Sequence, residues 1–84
     1  MMQKIIVRVI KPARVEYEAM ADMVVMPGSE GEFGVLYGHA PMIVQLKAGD
    51  MKVHNDGAVK TLRLEEGIAR VSDEKVDVVC AVTS

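Results

Sequence analysis

The stretch MIVQLKAGDMKVHNDG, Met42 to Gly57, alternates apolar and polar side chains twice and is broken twice. Met42, Val44 and Leu46 fall on one side of an extended chain, with Gln45 and Lys47 on the other. After a break at Ala48-Gly49-Asp50, Met51 and Val53 alternate with Lys52 and His54 until Asn55-Asp56-Gly57. A period of two marks strands with one buried face, whereas a helix would repeat its apolar positions at three and four. Asn-Asp-Gly can supply the positive φ values of a tight hairpin turn.

The same reading extends in both directions. Ile5, Val7 and Val9 oppose Lys4 and Arg8; Val15, Tyr17 and Ala19 oppose Glu16 and Glu18; Val76, Val78, Cys80 and Val82 share a face near the end. Met23 to Met26, MVVM, is apolar on both faces, as a strand lying between two layers would be. Lys11-Pro12, Pro27-Gly28 and Ser72-Asp73-Glu74 supply further breaks, and no helix-period pattern of ten residues or more occurs. These elements predict one all-β domain over residues 1–84, a small β-sandwich or flattened barrel.

Composition narrows the function classes. The single cysteine, Cys80, allows no intramolecular disulfide, and the apolar runs are too short to span a bilayer as helices. The N-terminal MMQKIIVRVIK has charges within its apolar run and no small-residue cleavage site, so a soluble intracellular protein is expected. A net charge of −2 with scattered basic residues is no nucleic-acid footprint. From Val15 to Leu46 there is no lysine or arginine, while Glu16, Glu18, Asp22, Glu30 and Glu32 all lie there. Such a window is either a solvated acidic face or a surface for a basic partner.

Within it, Gly28 to Pro41 (GSEGEFGVLYGHAP) holds four of the seven glycines. Phosphate binding is disfavoured: the spacing is Gly-x-x-Gly-x-x-Gly, no lysine follows before Lys47, and two glutamates would repel an anion. His39 has no nucleophile placed beside it in sequence, and His39 and His54 match no metal-ligand spacing. Glu30 and Glu32, two apart, would share a side of an extended chain, but nothing marks either as a catalytic acid. Met20, Met23, Met26, Met42 and Met51 read as core filler before they read as an adaptable binding surface. No enzyme, metal or cofactor is expected.

The run from Pro27 through Met42, continuing to Gly49, closely resembles the signature of the ATP synthase epsilon subunit family, called delta in mitochondria. The resemblance implies a β-sandwich of about ten short strands with no active site. It implies a rotor subunit at the foot of the central stalk, on the cytoplasmic face of the bacterial plasma membrane. There it binds the gamma subunit and the c-subunit ring, coupling proton-driven rotation to ATP synthesis. Carried over position by position, Ser29, Glu30, Gly31 and Glu32 match the loop facing the c ring, whose polar loops carry an arginine, and Glu32 is the first choice for that contact. His39, Ala40, Pro41 and Met42 match the portion lying against gamma. Tyr37 departs from the family's usual proline, Glu66-Gly67-Ile68 from a commoner double-glycine turn, and the family's C-terminal helical hairpin, with its inhibition of ATP hydrolysis, has no counterpart in these residues. The alternatives are a stand-alone binding sandwich, for which three aromatics are a poor supply of stacking surfaces, and a small hydrolase using His39.

Overall fold

The computed structural model describes residues 3–11 and 14–80. Nine strands occupy them, with no helix among the described residues: β1 (Ile5–Lys11), β2 (Arg14–Ala21), β3 (Met23–Gly28), β4 (Gly31–Leu36), β5 (Met42–Leu46), β6 (Gly49–Asn55), β7 (Ala58–Leu64), β8 (Gly67–Val71) and β9 (Lys75–Cys80). They form one continuous sheet in the order β2-β1-β9-β8-β5-β3-β6-β7, with β4 on the remaining edge of β3. All pairs are antiparallel except β1 with β9.

The sheet curls into a sandwich because β3 serves two neighbours along one edge. Met23, Val24 and Val25 pair with β6, then Gly28 pairs with Leu46 of β5. Inward residues from both halves meet there: Ile5, Val7, Val76, Val78 and Ala69 on one side, Val24, Met26, Met51 and Val53 on the other, all 5 % exposed or less. No aromatic belongs to the fully buried set; Tyr17 and Phe33 pack against its margin. The Asp22 N–H donates to the His54 carbonyl at 2.7 Å, which extends the β3–β6 ladder to the β2–β3 corner.

The expected hairpin turn is present. Asn55 pairs with Ala58 across Asp56 and Gly57, whose φ values of 53° and 82° fit a primed two-residue turn. Three details differ from the sequence expectations. Pro27-Gly28 is not a break but the end of β3, with Pro27 paired to Glu32. The Pro27 carbonyl accepts from Lys47 on the β5 side, so the N–H that proline lacks would point to that same side, where pairing with β6 has ended and pairing with β5 is about to begin. Likewise Gly49 and Asp50 already belong to β6, which leaves only Lys47 and Ala48 as the connection.

Val15 is the third. A bulge between Val9 and Ile10 sets Val9 against Tyr17 but Ile10 against Val15, and this inserts Glu16. One extra residue reverses the facing of the residues beyond it, so Val15 turns outward and is 44 % exposed. Of the five methionines expected to fill the core, Met26 and Met51 do so, Met23 is half-buried, and Met20 and Met42 are exposed. Val82 and Pro12 lie outside the described residues.

Gly67 opens β8 directly against Cys80 of β9, and a Cβ there would collide with the Val79 carbonyl oxygen and the Cys80 Cα. Both obstacles are backbone, so the β8–β9 ladder itself would have to shift. Gly67→Ala is therefore expected to cost about 1–3 kcal/mol, read as a lowered urea midpoint. An unchanged midpoint would show that the two strands can separate freely at this point.

Candidate functional site

The resemblance-derived residues fall at the two ends of β4. Ser29 and Glu30 form the turn between β3 and β4, and Gly31, with φ of 135°, starts β4 in a conformation that side chains with a Cβ rarely adopt. Glu30 thus sits on the turn and Glu32 on the strand, so the side-sharing expected of a continuous extended chain does not apply. Both are exposed. The tip is braced by the Ser29 N–H donating to the Gln45 carbonyl at 2.9 Å and the Lys47 N–H donating to the Pro27 carbonyl at 3.0 Å. An open groove of about 440 Å³ runs between the tip and β5, lined by Glu30, Glu32 and Phe33 on one side and Met42, Ile43 and Gln45 on the other.

At the far end of β4, Tyr37 and Gly38 turn the chain towards β5. The Gly38 N–H donates to the Asp73 carbonyl at 2.6 Å, pinning this turn to the β8–β9 connection, and the His39 N–H donates to the Leu36 carbonyl at 3.2 Å. His39 is half-buried, with Nδ1 2.8 Å from the Ala40 carbonyl. That bond shapes the loop. Ala40 and Pro41 are exposed. Met42 is the one member of the His39–Met42 set that lines the groove at the tip. Sequence reasoning missed Ile43, 72 % exposed in the same groove. Its signal was an apolar residue out of phase with Met42, Val44 and Leu46.

Tertiary structure divides the acidic window into two kinds of carboxylate. Arg14 Nε lies 2.6 Å from Glu16, Glu18 stands opposite Arg8 on the neighbouring strand, and Lys4 Nζ lies 2.9 Å from Asp22. These cations enter from outside the window. Among the described residues, Glu30 and Glu32 have no ion-pair partner. Nor do any three histidine, cysteine, aspartate or glutamate side chains gather there as metal ligands would.

Residues 4–83 match the family profile described as ATP synthase, Delta/Epsilon chain, beta-sandwich domain. The chain belongs to the ATP synthase delta/epsilon family. It is 43 % identical over 81 residues to the ATP synthase epsilon chain of Rickettsia bellii, an alignment covering 93 % of this chain and 75 % of that one. Against the epsilon chain of Campylobacter lari it is 43 % identical over 79 residues, covering 93 % and 61 %. A chain in the Euglena gracilis mitochondrial ATP synthase, determined as an OSCP/F1/c-ring assembly, superposes with a TM-score of 0.84 at 26 % identity, covering 94 % of this chain and 51 % of that one. The chain thus spans three quarters of the Rickettsia relative but only about half of the Euglena subunit. Family membership makes this epsilon-chain homologue a non-catalytic subunit of ATP synthase.

In this epsilon-family domain one polar cluster joins elements far apart in sequence: Lys4 Nζ bonds Asp22, Asn55 and Asp56, and the Asp56 N–H donates to Asp22 at 2.8 Å. The Lys4 ammonium, with the Asp56 N–H second, holds the Asp22 carboxyl below the usual carboxylate range. Asp56 and then Asp22 hold Lys4 above the ordinary lysine value. Asp22 therefore stabilises the fold fully above the unfolded carboxylate pKa of about 4, and the contribution is lost as pH falls through its depressed native value. The Lys4 contribution is complete below about 10.4 and lost as pH rises through its raised value. Asp22→Asn should lower the urea midpoint at neutral pH and flatten its decline as pH falls below about 4. A variant that kept the wild-type acid slope would show that Asp22 does not carry this dependence.

Proposed function

We propose that this chain acts as a central-stalk subunit of an F-type ATP synthase, with the Ser29–Glu32 tip resting on the polar loops of the c ring and the His39–Met42 segment against gamma. On this reading it lies peripherally at the cytoplasmic face of the bacterial plasma membrane and helps couple ring rotation to the catalytic assembly.

The observation that carries the proposal is the disposition of charge at the tip. Among the described residues Glu30 and Glu32 are the window's two carboxylates with neither an ion-pair partner nor a cation on the facing strand residue, and they sit on a glycine-shaped turn braced from behind by β5. An exposed, uncompensated acidic tip fits a basic loop. The six residues of β4 separate it from the 37–41 turn by roughly 20 Å, which gives a small domain two distinct contacts. The relatives named for ATP synthase, and the Euglena assembly that includes a c ring, support the same placement.

Exposed ion pairs contribute only about 0.2–1 kcal/mol each, so Glu32→Lys should weaken contact with the ring a few-fold without preventing assembly. In membrane vesicles carrying the complete enzyme, the variant is expected to pump protons less efficiently per ATP hydrolysed. Coupling equal to wild type would remove Glu32 from the ring contact.

A further inference from the structure

Strands β2 and β7 end the sheet, and each has one edge without a ladder among the described residues. The two edges are not alike. β2 is interrupted by the bulge opposite Val9 and Ile10 and carries Arg14, Glu16 and Glu18, features that discourage a further strand. β4, whose outer edge is also free, is short and holds two glycines. β7 keeps an unbroken register with β6 from Ala58 to Leu64 and contains neither glycine nor proline.

The hairpin fixes which groups β7 presents outward. Its two-residue turn makes Asn55 and Ala58 a hydrogen-bonded pair, so Lys60, Leu62 and Leu64 likewise direct their N–H and C=O groups at β6. Val59, Thr61 and Arg63 therefore offer their N–H donors and carbonyl acceptors to the open edge. Beside that edge lies an open cleft of about 330 Å³, with Tyr17 and Ala19 of β2 on one wall and Val53, Ala58 and Lys60 on the other. Lys60 and Leu62 share the side of β7 on which Val53 and Met51 are buried. Leu62 and Tyr17 pack on the margin of the core, whereas Lys60 is exposed and has no ion pair among the described residues.

We propose that β7 receives an extended segment of a partner protein as an added antiparallel strand, with a carboxylate against Lys60 and an apolar side chain two residues before it against Leu62. The residue opposite Lys60 falls at a non-hydrogen-bonded position, where facing side chains approach most closely. Main-chain bonds to Val59, Thr61 and Arg63 supply affinity, and the apolar–x–acid alternation supplies selectivity. A second copy of β7 is the poorer occupant, because self-pairing gathers Lys60 and Arg63 of both copies on one short ladder. β6 and β3 stand between this edge and β4, so an added strand leaves the acidic tip free.

The probe is the acetylated and amidated peptide Ser-Thr-Val-Thr-Glu-Thr-Ser, whose Glu and Val would face Lys60 and Leu62, added to the isotopically labelled chain and followed by NMR. Saturable shifts should concentrate on the Val59, Thr61 and Arg63 amides, with a Kd of about 0.1–1 mM because a short free peptide must be ordered on binding. Replacing the peptide's Glu by Lys should weaken binding about fivefold, and Lys60→Glu should invert that preference. Thr61→Pro removes a donor that faces outward, so the chain should keep its sheet and lose the peptide. Circular dichroism checks that both variants fold. No saturable binding up to about 5 mM overturns the proposal. So do shifts centred on β2 or β4, a preference for the Glu peptide that survives Lys60→Glu, or concentration-dependent shifts of the β7 amides without peptide, which would make a second copy the occupant.

Discussion

Strand β3 is the element on which the rest of the molecule depends. It carries β4 along one edge and hands the other from β6 to β5 within six residues. This handover turns a single sheet into a sandwich, since it is the point where the β5-β8-β9-β1-β2 half meets the β6-β7 half. Pro27 stands where the handover occurs, and its missing donor costs no ladder bond there. The same strand delivers the acidic tip: the bonds that fix β3 to β5, Ser29 to Gln45 and Lys47 to Pro27, also set the direction of the turn. Fold and candidate site share one piece of backbone geometry.

Electrostatics separates the carboxylates that hold the structure together from those presented outward. Lys4 bridges the start of the chain to the β2–β3 corner and the β6–β7 turn, and Arg8 chelates Asp77, the one buried charged residue among those described. Both cations lie in or next to β1, and each neutralises an acid distant in sequence. After that compensation the tip is left with Glu30 and Glu32. Glycine matters there for conformation, because Gly31 accepts a φ that permits the tight return into β4.

Much of this was legible in the sequence. Period-two patterning located β1, β2, β5, β6 and β9, and Asn55-Asp56-Gly57 announced a hairpin with positive φ values. β4 was hidden because four glycines in a short span read as loop, although Phe33 and Val35 do alternate with their neighbours. The outward turn of Val15 was not legible, since a bulge depends on the partner strand's register and not on local composition. The candidate tip residues could be named from the family resemblance. That Glu30 and Glu32 are, among the described residues, the two acids of the Val15–Leu46 window left uncompensated could not, because Lys4 and Arg8 reach the window only after β1 has paired.

The central claim is that this domain is a stalk component that docks on gamma. Its most direct test is a calorimetric titration of the purified chain with the gamma subunit of the same organism. Saturable one-to-one binding in the micromolar range or tighter is the predicted result. No detectable heat of binding at tens of micromolar, with both proteins folded, would contradict the account.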